Sequence, residues 1–228
     1  MKNKNRFAAI AALALAFTAT GLSSNAMADT TTVDTTHMRQ FWTQYGVPSA
    51  TQTRLVAQVV SGKLTDAESE DAHPISETTA TVEGARQTVK RFADGSVSVS
   101  EAELPALVEV GAQSVTPFGV ANCTLTTYSG LAQYRNCNIT ASTALTTLGF
   151  IANFDLVSGA YNDYIVDQGN SGFETCGPGT CSKPRFSDWT QRETSSSSAR
   201  LRWVATYTAP GVSNTMYVTL TVGGNSYH

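Results

Sequence analysis

The stretch Thr215-Met216-Tyr217-Val218-Thr219-Leu220-Thr221-Val222 decides the fold. Apolar Met216, Val218, Leu220 and Val222 alternate strictly with polar or amphipathic neighbours. That is the period of a strand burying one face and wetting the other. Working outward, Leu201, Trp203, Ala205 and Tyr207 alternate with Arg200, Arg202, Thr206 and Thr208. Leu148, Phe150, Ala152, Phe154 and Leu156 alternate with Thr147, Gly149, Asn153 and Asp155. Ser158-Gly159, residues 169–172, residues 195–198 and Pro210-Gly211 punctuate these runs. Shorter strands are expected over 120–127, 133–140, 161–167 and 186–191. About six or seven strands in residues 119–228 fit a mainly β protein, an antiparallel β-sandwich.

Upstream, the period changes. Met38, Phe41, Trp42 and Tyr45 share one helical face, and Gly46 ends that element. Ser49-Ala50-Thr51-Gln52 has the form of a capping box. Gln52, Leu55, Val56, Val59 and Val60 continue at helical spacing up to Gly62. Residues 29–63 thus read as a short helical hairpin. Residues 64–79 are acidic and aperiodic, and read as an exposed loop or linker. Ala93-Asp94-Gly95 between extended runs at 86–92 and 96–103 marks a β-hairpin. A second linker is expected over 111–117. Residues 64–118 therefore form an acidic linker with a β-hairpin. Nothing in the sequence tells whether that hairpin joins the later sheet.

Lys2, Lys4 and Arg6 precede an apolar run over 7–17, and Ala26-Met27-Ala28 places small residues where signal peptidase reads them. The run falls short of the roughly 20 residues of a spanning helix. Residues 1–28 are read as a signal peptide, which predicts a secreted, extracellular chain without a membrane anchor. Cys123, Cys137, Cys176 and Cys181 lie beyond it. In an oxidising compartment an even set of cysteines predicts disulfides. Proximity favours Cys123–Cys137 and Cys176–Cys181 among the three possible pairings. The first closes a loop worth about 3 kcal/mol by chain entropy. The spacings do not match the paired knuckles of a thiolate zinc site. Net charge is -3, and the acid concentrates before residue 119, so nothing calls for nucleic acid.

Gly169-Asn170-Ser171-Gly172 resembles the segment around a trypsin-like nucleophile, but a triad needs a histidine base. His37, His73 and His228 lie on a helix, before a proline in an acidic loop, and at the last position. The segment is read as a loop, and no catalytic residue, metal ligand or cofactor is assigned. The remaining candidates are Tyr161, Asp163, Tyr164 and Asp167, a ligand-binding set of two carboxylates and two rings on opposite strand faces, one of them expected to be exposed. Asp155, Asp163 and Asp167 also raise the alternative of a hydrolase using paired carboxylates. Trp203, on an apolar face, is expected to be a buried core residue.

Phe41-Trp42, Tyr45-Gly46-Val47, residues 88–96 (TVKRFADGS), Tyr134-Arg135-Asn136-Cys137, the CGxGxC segment from Cys176 to Cys181 and Leu220-Thr221-Val222-Gly223-Gly224 follow one another in a fixed order. In that order they resemble a family of uncharacterised secreted proteins of actinobacteria. The resemblance implies export and this host class, and assigns no activity or site. The expectation is an extracellular, non-catalytic binding module for a cell-wall, glycan or protein partner. The alternatives are the carboxylate hydrolase and a released toxin or inhibitor.

Overall fold

The computed structural model describes residues 34–107 and 123–228. The leader over 1–28 and the linker expected over 111–117 lie outside the described residues. Helices α1 (Thr36–Gln44) and α2 (Ser49–Val60) form the expected hairpin. Gly46, at φ +69°, reverses the chain between them. The capping box at Ser49 does not form. Pro48 takes the N-cap, and Gln52 instead donates to the Val47 carbonyl and the Thr43 hydroxyl. The box residue thus ties the two helices together.

Strands β1 (Ser76–Val82), β2 (Ala85–Arg91) and β3 (Val97–Glu103) form an antiparallel meander. The turn at Asp94-Gly95 is the predicted one. Its carboxylate accepts from the amide and hydroxyl of Ser96. β3 then pairs with the end of β6 (Leu131–Ser142), so the hairpin belongs to the later sheet. The two-residue β4 (Ala106–Leu107) pairs with β5 (Thr124–Tyr128), and β5 pairs with the start of β6. One edge of β6 is therefore shared by β5 and β3. At the changeover lies a bulge with Asn136 at φ +57°. Its amides go to side chains: Asn136 to Asn153 and Asn138 to Glu103. The Cys123–Cys137 bridge, fully buried, pins this junction. β7 (Thr146–Val157) lines the other edge of β6, and carries β8 (Tyr164–Ile165) and β9 (Asn170–Cys176) on its far side.

In the second sheet, β10 (Thr180–Cys181) and β11 (Arg185–Thr190) pair with β12 (Ala199–Ala209). β12 pairs along its length with β13 (Val212–Gly223), whose last residues pair with β14 (Ser226–Tyr227). The Cys176–Cys181 bridge joins β9 of the first sheet to β10 of the second. Both predicted pairings are present. Two disulfides are at home in an oxidising, extracellular-type environment. Among the described residues no helix is long and apolar enough to cross a membrane.

The first sheet curls, and the second packs on its inner face. Ile139, Leu148, Phe150 and Phe154 meet Leu201, Tyr207, Val218 and Leu220 there. The opposite face of β3 presents Val97 and Val99, which join one core with Met38, Trp42 and Leu55 of the helices. Arg91 donates to the Tyr45 carbonyl, and His37 Nδ1 meets the Ala144 carbonyl.

Several expectations are corrected. Within 64–79, Asp66–Glu68 forms a 3-10 turn with Thr65 and Glu68 buried, and β1 begins at Ser76. Every residue of β1 is exposed, so it carries no apolar alternation to read. The strand expected over 161–167 shrinks to Tyr164–Ile165, because Tyr161 sits at φ +62° and breaks the extended run. The stretch at residues 169–172 opens β9 rather than forming a loop. Gly172 is there for packing: a Cβ would lie 2.4 Å from the Trp203 ring. Trp203 itself is half-buried, stacked on Phe150, and its indole N–H donates to the Gln168 carbonyl at 2.9 Å.

Candidate functional site

The second sheet is narrower than the first. It covers β6 and β7, while the inner face of β1–β3 stays open beside β13. A groove of about 590 Å³ fills this step. Its floor follows from strand alternation. Val97 and Val99 face the helices, so Ser98 and Ser100 face the groove. The register sets Thr88 opposite Ser100 and Thr79 opposite Thr88. Thr79 and Thr88 are hydrogen bonded at 2.9 Å. Glu77 and Lys90 lie opposite one another on the same face and form an exposed ion pair. A hydroxyl-rich floor stays wetted without exposing core.

The groove's wall is a strand edge. Thr221 exchanges both backbone bonds with His228, on the side away from β12. In an antiparallel ladder this orientation recurs every second residue. Thr219, Tyr217, Thr215 and Ser213 therefore turn their N–H and C=O groups the same way. Among the described residues no strand pairs with them. Thr215, Tyr217 and Thr219 line the groove. Besides His228, Tyr217 is the only ring among the lining residues, and the Arg202 guanidinium sits 4.7 Å over it. Among the described residues the groove thus has no bare aromatic platform of the kind on which sugars stack.

The two ends differ in charge. One holds Arg86, whose guanidinium donates to the Tyr227 carbonyl and lies 5.0 Å from that ring, together with His228. The other holds Glu68 and Glu70, beside Asn214, which donates to the Glu68 carbonyl. Glu68 is 7% exposed. Its Oε2 accepts from the Thr65 amide at 3.2 Å and from the Thr65 hydroxyl. Its Oε1 is buried and finds no donor at full hydrogen-bond geometry, with the Thr143 hydroxyl lying near the carboxyl. Burial raises its pKa to about 7, against the hydroxyls of Thr65 and Thr143 and with help from the Asp94 charge.

None of Tyr161, Asp163, Tyr164 and Asp167 lines this groove. Tyr161 is exposed in a turn. Asp163 is buried and accepts from the amides of Val157 and Asn225, fastening the β7–β8 connection to the β13–β14 turn. Asp167 accepts from Asn153 and from the Gly169 amide. Tyr164 donates to buried Asp155, which also pairs with Arg135; that bond raises the tyrosine's pKa. These carboxylates are held as backbone and side-chain ties rather than gathered at a cleft. Sequence reading missed Glu68, because it lies in an acidic run. Its one signal was Thr65 three residues before it, a capping-box spacing. Comparison of the chain with protein families, curated proteins and solved structures finds no match.

Proposed function

We propose that this protein is a secreted binding module that takes an extended segment of a protein partner as an added strand beside β13. The observation that carries this reading is the edge of β13 from Thr215 to Thr219, which no strand pairs with among the described residues and which faces a groove. Such an edge offers regularly spaced donors and acceptors to any extended chain. The hydroxyl floor gives the incoming side chains polar neighbours, and sugar stacking has no bare ring to use. The leader pattern and the two disulfides fit a partner met outside the cell.

Selection from a synthetic library of random ten-residue peptides tests the reading. Ser100 is exposed on the floor, so Ser100→Trp fills the groove without touching the core. Enriched peptides are expected to bind the unaltered protein and to lose about tenfold or more in affinity for Ser100→Trp. Methylation of alternate backbone amides of the peptide is expected to abolish binding. Absence of enrichment, or equal binding to the filled variant, overturns the reading.

A further inference from the structure

We infer that the turn over residues 65–70 is a proton-operated latch at one end of the groove, seated while the Glu68 carboxyl is neutral and released when it ionises. Such a latch stands whether or not a strand is added beside β13. Glu68 closes a surface turn, yet it is buried while Ser69 and Glu70 beside it are exposed. Its carboxyl faces the Thr65 hydroxyl of its own turn, the Thr143 hydroxyl of the β6–β7 turn, Tyr207 of β12 and the Asp94 carboxylate of the β2–β3 turn. Asp66 and Glu70 add acid on its own turn. Arg54 of α2 reaches the Asp94 carbonyl, and His37 of α1 meets the carbonyl of Ala144, next to Thr143. Among the described residues no Lys, Arg or His forms an ion pair with Glu68. A carboxylate buried among hydroxyls and other acids, without a cation, is costly; the group stays neutral inside and must reach water to ionise. The rise of its pKa to about 7 agrees with that geometry.

The ties that seat the turn are polar, and water can replace each of them. The Asp66 amide donates to Asp94 Oδ2 at 2.9 Å, and the Asp94 amide donates back to Asp66 Oδ2 at 3.2 Å. The Ala67 amide donates to the Ser96 hydroxyl at 2.9 Å, and Asn214 of β13 donates to the Glu68 carbonyl. From Ser69 to the start of β1 every residue but Ala72 is exposed, so the turn can swing outward without unpacking the core. Release takes residues 67–70 out of the groove's lining and frees the Asn214 side chain beside the strand edge.

Amide exchange at pH 5 and pH 8, each rate divided by the unprotected rate at the same pH, tests the latch. The reporters are the amides of Ala67, Glu68 and Ser69, bonded to Ser96, Thr65 and Asp66. At both pH values they are expected to open more readily than the amides shared between β12 and β13. Their opening is expected to be roughly fiftyfold easier at pH 8 than at pH 5, as for a carboxyl that titrates near 7 when seated and near 4.5 when released. In Glu68→Gln that change should fall below about threefold, while His37→Asn should keep it. Asn214→Ala removes one tie and leaves the carboxyl in place; it should open the turn further at both pH values and keep the pH dependence. Turn amides protected as strongly as those of the strands overturn the inference. So does a pH dependence that is absent, that survives Glu68→Gln or that vanishes in His37→Asn.

Discussion

Phe154→Ala is expected to lower unfolding stability by about 3–5 kcal/mol in urea titration. Phe154 is completely buried on β7. Its ring stacks on Tyr134 of β6 at 4.6 Å and meets Tyr227 of β14 at 4.7 Å. Tyr134 and Tyr227 also touch, at 5.0 Å. Three rings from both sheets thus form one cluster at the basic end of the groove. Removing the central ring leaves a cavity that neither strand can close, since β7 is held on both edges. Tyr134 and Tyr227 lose their partner as well, so the short β14 loosens first. A cost below about 1 kcal/mol would mean that the sheets do not pack through this cluster.

Glu68→Gln is expected to stabilise the protein above neutral pH and to flatten its pH dependence. The folded pKa of Glu68, about 7, lies above the ordinary value of 4.5. A raised carboxyl favours the protonated fold. Its contribution is therefore full below pH 4.5 and is lost as pH rises through 7. The shift corresponds to about 3 kcal/mol between those limits. Glutamine has no proton to lose and keeps an acceptor for Thr65. The charged neighbour Asp94 acts in the same sense as burial, and Tyr207 ionises only far above this range. Urea unfolding at pH 5 and pH 8 measures it: the unaltered protein should lose stability relative to Glu68→Gln at the higher pH. Equal slopes in the two proteins would show that Glu68 is solvated.

The long strands were legible because each buries one face against a second sheet. The alternations around Phe150, Leu201 and Val218 could hardly have meant anything else. The helix pair and the Asp94-Gly95 hairpin followed from equally local signals. β1 was not legible, since a strand exposed on both faces has no apolar period. β9 was hidden by Gly172, which serves close approach to Trp203 rather than a turn. The groove was out of reach for a different reason. It arises from a mismatch in width between two sheets, and from an edge left without a partner, which no single segment encodes. The carboxylates that looked like candidates, Asp155, Asp163 and Asp167, turned out to satisfy donors inside the fold. Chemistry-bearing residue types near one another in sequence say little until their hydrogen bonds are counted.

Residue-resolved amide hydrogen exchange along β13 tests the unpaired edge most directly. In the free protein the amides of Asn214, Met216, Val218 and Leu220, bonded to β12, should exchange slowly, while those of Thr215, Tyr217 and Thr219 exchange fast. A selected peptide should slow the second set and leave the first unchanged. Uniform protection of both sets in the free protein would contradict the account, because the edge would then already be paired.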